Sequence, residues 1–239
     1  VIVSAWRSDP DWLEQCLLSI ALQVLPEGWS FEVRIGVDGC PETSALLTRM
    51  GSSHWYSEEN VGPYLVRNSL ILKPPEPDQP EPTHYATFDA DDVMRPGYLH
   101  TLCAMAGSDV IAGPARVTMT PEGIRKPGRA AFQGGVACYP VAVLVALGGF
   151  RPWRIAADSD LVRRARAMGF TVKSSSEVLY DRRRHPDSLT QREDVGMRSD
   201  VRNALTVESE RAVRAGELVA EFETVPLRFV ELPYADLLL

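Results

Sequence analysis

An α/β fold, with a mostly parallel central sheet and helices on both faces, is what this 239-residue chain predicts. Three observations predict it. Strand-like and helix-like segments alternate through the first half, the order that builds a parallel sheet with helical crossovers. Ser4, Asp38 and the Asp89/Asp91 pair each fall just past the end of an expected strand, the edge at which such sheets bind ligands. Hydrophobic content of 45% and charged content of 24% are those of an ordinary globular protein.

Each element has its own reason. Val1-Ile2-Val3 is a short apolar strand. Ser8-Asp9-Pro10 opens a helix, because an Asp side chain caps free N–H groups and proline is tolerated in the first turn. Leu13, Leu17, Leu18 and Ile20 give that helix an apolar face. Phe31, Val33, Ile35 and Val37 alternate, so a second strand ends at Asp38-Gly39, and a helix follows over residues 41–49. A strand near His54 to Tyr56 leads to Glu59-Asn60-Val61-Gly62 and a helix over residues 63–72. The prolines of residues 74–82 exclude helix and central strand and predict a stiff surface loop. Tyr85 to Phe88 is a buried strand that ends in carboxylates. Arg95-Pro96-Gly97 then starts a helix running to about Met105, with Pro96 in its first turn.

The second half is less regular. Val110 to Ala112 and Ala115 to Met119 read as strands. Val141 to Leu147 reads as a helix closed by Gly148-Gly149, Ala157 to Met168 as a helix ended by Gly169, and Val178 to Tyr180 as a strand. Arg192 to about Glu221 reads as a charged helix. Its thin apolar stripe of Val201, Leu205, Val213 and Leu218 packs on the body or contacts a second copy to form a homodimer.

The net charge of −7 argues against a generic nucleic-acid surface. Cys16, Cys40, Cys103 and Cys138 fit no zinc spacing, and free thiols suit a reducing, cytoplasmic setting. No stretch is long and apolar enough to span a bilayer. The chain starts without Met, directly on a strand-like run, so leader residues preceding it are expected.

The most informative segment is Thr-Phe-Asp-Ala-Asp-Asp, residues 87–92. Carboxylate oxygens at a strand end suit Mg²⁺ or Mn²⁺, which in turn can hold the diphosphate of a nucleotide. The competing reading is a turn in which one Asp, Asp92, caps the following helix.

Six ordered features resemble family 2 glycosyltransferases of the GT-A fold. They are Val1 to Ser4 with Ser19-Ile20 and Gln23; Val37-Asp38-Gly39; Asn60-Val61-Gly62 with Arg67-Asn68; Phe88 to Asp92; Gly148-Gly149-Phe150 with Ala157-Asp158-Ser159-Asp160-Leu161; and Arg183-Arg184-His185-Pro186-Asp187-Ser188-Leu189-Thr190. The resemblance implies a GT-A glycosyltransferase domain over residues 1–190, with a nucleotide-binding half (1–105) and an acceptor-binding half (106–190). Residues 191–239 are then a C-terminal helical extension.

The resemblance also implies metal-dependent, inverting transfer from a nucleotide sugar, a UDP-sugar being favoured, to an acceptor that it does not identify. Ser4, Arg7, Asp38, Arg67, Asp89 and Asp91 become the nucleotide-sugar contacts. Asp38 is expected to accept a base N–H such as that of uracil, and Arg67 to approach the base or the diphosphate. Asp91 and His185 become ligands of Mn²⁺ or Mg²⁺, and the arginines beside His185 candidates for the diphosphate. Asp158 becomes the general base, with helix capping as its alternative, and Asp160 a structural acid of the first helical turn. The family pattern has Glu where this chain has Ala157, a departure that bears on the acceptor site. Gly135, by close backbone approach, and Trp153, by stacking, are the candidates for acceptor contact. Two rival readings stand beside this one. A nucleotidyltransferase would carry a glycine-rich loop after the first strand, where this chain has Ser4-Ala5-Trp6-Arg7-Ser8. A non-catalytic binding protein would keep the fold alone, and Ala157 leans toward it.

Overall fold

The computed structural model describes residues 1–75, 79–128 and 134–231. Residues 76–78 of the proline-rich loop lie outside them. Four parallel neighbours form the heart of the sheet: β1 (Ile2–Ala5) between β2 (Arg34–Asp38) and β4 (His84–Asp89), with β3 (His54–Ser57) beyond β2. Helices α1 (Pro10–Ala21), α2 (Pro41–Arg49) and α3 (Pro63–Ile71) make the crossovers. Asp9 caps α1, its carboxylate accepting from the N–H groups of Asp11 and Trp12 at 3.0 and 3.2 Å.

The remaining strands are β5 (Val93–Met94), β6 (Val110–Met119), β7 (Cys138–Pro140), β8 (Thr171–Arg183) and β9 (Arg228–Val230). Among the described residues nine strands form one sheet in the order β5-β8-β6-β7-β4-β1-β2-β3-β9. The central strands are parallel, as expected, and antiparallel strands extend the sheet around them. Strands β7, β5 and β9 join antiparallel to β4, β8 and β3, and β6 pairs antiparallel with β7, so the sheet is mixed. The two strands expected over residues 110–119 are one, kinked by register shifts around Gly113 and Ala115. The expected strand at 178–180 is the end of the much longer β8, which runs parallel to β6.

The remaining helices are α4 (Tyr98–Met105), α5 (Val141–Leu147), α6 (Ala157–Ala167) and α7 (Asp200–Arg214). Pro96 lies outside α4. Gly97, in the left-handed region at φ 83°, is its N-cap instead. Gly148 closes α5 at φ 69°, a conformation glycine reaches without a Cβ penalty. The helix expected from 192 to 221 is the shorter α7, which packs on α6. Beyond an irregular segment, Arg228–Val230 adds to the sheet edge.

Two apolar layers cover the sheet. On one face Leu13, Cys16, Ile20, Leu47, Tyr98 and Leu102 meet Val3, Val37 and Phe88. On the other Val66, Leu70, Leu144, Phe150 and Leu161 meet Ile2, Tyr85 and Tyr139. At about 1.5–3 kcal/mol for each large buried side chain, these layers hold the sheet rigid beneath its carboxyl edge. No helix among the described residues is long and apolar enough to cross a membrane.

Candidate active site

The carboxyl ends of β1, β2 and β4 open into a cleft of about 490 Å³. Ser4, Arg7, Asp38, Asp89, Asp91 and His185 all line it. A second cavity of about 380 Å³ shares a wall with the first and holds Tyr64, Arg67, Gly135 and Asp158. Asp89 and Arg182 line both.

Asp91 and His185 are brought together by β5 and β8. The pairing of Val93 with Asp181 and of Met94 with Tyr180 carries the end of β8 alongside the turn after β4. Nε2 of His185 then lies 2.9 Å from Oδ2 of Asp91, with Trp12 tilted against the imidazole at 4.8 Å. Arg183 fixes this junction. Its N–H donates to Asp92 at 2.8 Å, and its guanidinium donates to the carbonyls of Asp91 and Pro121 and to Gln15. Of the arginines before His185, Arg183 is thus a buried strut, and Arg184 pairs with Gln191 outside. Arg182, which faces both cavities, donates to Thr190 at 2.7 Å, and its charge acts on the nearby carboxyls of Asp89 and Asp92.

Asp92 does not cap α4. It is buried, and Oδ2 finds no hydrogen-bond partner among the described residues. Burial, then the neighbouring Asp91 and Asp89, push its carboxyl well above the usual range.

Asp38 is buried at the end of β2. Its carboxylate accepts from Val61 N at 2.7 Å, Gly62 N at 2.9 Å and the Asn60 amide at 2.9 Å. Burial raises its carboxyl, against the pull of the two backbone donors. The expected donation from a base meets a carboxylate already engaged three times. Asp38 shapes the 60–62 loop first, and one lone pair on Oδ1 stays unused. Arg154, which the sequence did not single out, clamps the same loop through the Asn60 carbonyl at 2.5 Å. Beneath it Gly39 sits at φ 60°, where an added Cβ would lie 2.2 Å from the Asn60 nitrogen. Gly39→Ala is therefore expected to cost about 1–3 kcal/mol in urea unfolding. An unchanged midpoint would mean that the loop moves freely.

Arg67 does not reach the first cleft. It is buried under the second cavity, where it donates to Asp89 Oδ1 at 2.7 Å and to the Gly135 carbonyl at 3.2 Å. Its role is to hold Asp89, which stays half-exposed between the cavities. Asp158 does not cap α6, since the N-cap is Ala156, held at φ 64°. Asp158 Oδ1 instead accepts from the Tyr64 hydroxyl at 2.7 Å. Burial, with the Asp158 charge next, pushes that hydroxyl far above its usual range, so Tyr64 stays a donor. Ala157 is fully buried in the second apolar layer.

Gly135 lines the second cavity, 3.4 Å from Asp158 Oδ2 by its would-be Cβ. Gly134 lets its turn lie against the Asp158 backbone. Trp153 lines neither cavity. It packs on the second apolar layer with Arg151 over its ring at 5.6 Å, so the stacking role is withdrawn. Asp160, read as structural, is fully buried against Arg164 at 2.7 Å. Tyr64, Arg154 and Trp12 are the site residues that sequence reasoning missed. Tyr64 and Arg154 meet partners 94 residues away, and no local pattern announces that.

No protein-family model matches the sequence, and neither does any curated protein. Solved structures do match. S. aureus TarS 1-349 in complex with UDP-GlcNAc superposes with a TM-score of 0.61 at 18% identity, over 78% of this chain and 58% of that one. The mannosyltransferase PcManGT from Pyrobaculum calidifontis, in complex with GDP-Man and Mn²⁺, gives 0.60 at 16% identity, over 75% of this chain and 55% of that one. The chain thus spans little more than half the length of these relatives. The chain shares its fold with these proteins, and that fold is GT-A.

Proposed function

We propose that the chain is a metal-dependent, inverting glycosyltransferase that moves a sugar from a nucleotide-sugar donor to an acceptor hydroxyl. The observation that carries this reading is the pair of joined cavities. The Asp91–His185 couple stands in one, Asp158 in the other, and Asp89 lies on the shared wall. UDP and GDP are the nucleotides seen with the matched folds, and a UDP-sugar is the favoured donor.

A carboxylate and a neutral imidazole suit Mn²⁺, and such ions complete their shells with phosphate oxygens and water. Asp91 and His185 fit that need as a two-residue site, with no third His, Cys, Asp or Glu forming a cluster among the described residues. When bound, the ion would offset charge on the diphosphate and on the departing nucleoside diphosphate. The chain's own residues supply the rest. Asp89, fixed by Arg67, faces the donor from the wall between the cavities. Arg182 stands beside it as a cation for the phosphates. Asp158, oriented by Tyr64, leaves Oδ2 to take the proton of the acceptor hydroxyl. Attack from the Asp158 side while the diphosphate departs on the other inverts the anomeric centre.

Calorimetry with UDP and GDP, with and without Mn²⁺, tests this. A Mn²⁺-dependent complex is expected, and no binding of either nucleotide with metal present sinks the reading. His185→Ala should raise the Mn²⁺ concentration needed by about tenfold or more, since loss of a supporting metal partner already costs that much.

A further inference from the structure

The second cavity carries an unusual charge. Five arginines line it (Arg67, Arg163, Arg166, Arg182 and Arg202), against the carboxylates of Asp89 and Asp158. This happens on a chain whose net charge is −7. Arg67 is consumed by Asp89. Arg182 acts on Asp89 and Asp92. Arg163, Arg166 and Arg202 form no ion pair with any described carboxylate, although Arg residues elsewhere in the chain commonly do. Among the described residues Arg163 is tethered to the Ser209 hydroxyl of α7 at 3.4 Å, and Arg202 donates to the Val195 carbonyl at 3.2 Å.

Their arrangement has a direction. Asp158, Val162 and Arg166 are four residues apart along α6 and all line the cavity. At 3.6 residues per turn they form one stripe. Arg163 flanks that stripe, and Arg202, in the first turn of α7, lines the same cavity. With about 1.5 Å of rise per residue, the backbones of Asp158 and Arg166 are about 12 Å apart along the helix. Along the stripe the carboxylate therefore stands at one end and the Arg166 guanidinium, with Arg163 a turn before it, toward the other, the side chain best suited to oxyanions.

We infer that the second cavity takes an anionic acceptor. Its hydroxyl lies at Asp158, and a phosphate or carboxylate lies about two sugar units further along α6, held by Arg166 with Arg163 and Arg202. This rests on the transferase reading above and names the substrate class of its acceptor site. Phosphate and carboxylate share the chemistry, and the test separates them.

Three disaccharides serve as probes: lactose 1-phosphate, lactobionate and neutral lactose. Each is titrated into the intact chain by calorimetry with UDP and Mn²⁺ already present, so that the first cleft is filled. Binding of one or both anionic probes, with lactose at least about tenfold weaker, is expected. So is loss of that preference in the Arg166→Gln/Arg202→Gln variant, whose changes fall on helix surfaces. The probe that binds identifies the anion. Equal binding of lactose, or anion binding unchanged in the double variant, overturns the inference. A separate titration with UDP alone reports on the transferase reading. Anion binding that depends on Arg166 and Arg202, in a chain that binds no nucleotide, would sink that reading and with it the acceptor role.

Discussion

Asp158→Asn is expected to cut sugar transfer by about 10²–10⁴-fold, the usual contribution of a general base, while nucleotide affinity stays at the wild-type level. The geometry separates the two functions. Asp158 lies in the second cavity and is absent from the lining of the first, where Asp91 and His185 stand. An Asn side chain keeps an oxygen for the Tyr64 hydroxyl, so α3 and α6 stay in register, and what is lost is the capacity to accept a proton. Tyr64→Phe is the companion. It leaves the carboxylate in place but frees its orientation, so a smaller loss of rate is expected from it than from Asp158→Asn. Two outcomes would sink the assignment. Equal loss of nucleotide binding in Asp158→Asn would make the residue structural, and full transfer activity would place the base elsewhere.

The legible and the hidden parts of this site differ in a physical way. Asp91 could be read because a carboxylate pair after an apolar strand is a local pattern. His185 became readable only through a resemblance, since the 94-residue separation of the two is closed by the β5–β8 pairing. That pairing was itself invisible. β5 is two residues long, and most of β8 from Lys173 to Glu177 is polar and exposed, so backbone hydrogen bonding to β6 makes the strand and side-chain alternation does not. Arg67 misled in the opposite sense. Helical spacing assigns an arginine to solvent or ligand, but this one is buried by a carboxylate on β4 that only the folded sheet brings near. The capping glycines and Asp9 were legible because caps are decided within a single turn. Asp92, in a similar context, was misread because a tertiary donor, the Arg183 N–H, claimed it first.

Arg164→Met is expected to lower stability by about 3–5 kcal/mol, because it leaves a buried charge without its partner. At about 2–4 °C per kcal/mol for a chain of this size, the thermal midpoint should fall on the order of 10 °C. Both members of the pair are fully buried, and Arg164 donates to Asp160 at 2.7 Å. The same guanidinium donates to the carbonyls of Leu147 and Gly149 at the end of α5, and to that of Leu218 beyond α7. The substitution therefore removes a donor from three carbonyls, of which Leu147 keeps the Ala220 N–H at 2.9 Å, and it leaves Asp160 with Arg151 alone at 3.2 Å, its Oδ1 already lacking a hydrogen bond among the described residues. Adding Asp160→Asn should restore part of the loss, since removing the second charge removes its desolvation penalty. A double variant no more stable than Arg164→Met would instead assign the cost to the carbonyls that lose this donor. That result would mean Arg164 acts chiefly as a staple between α5, α6 and the C-terminal segment. The distinction matters for the site, because Asp158 rides on the first turn of the same helix: a charge defect at Asp160 would disturb transfer, whereas a loosened C-terminal segment would lower the unfolding midpoint and leave the Asp158–Tyr64 contact in place.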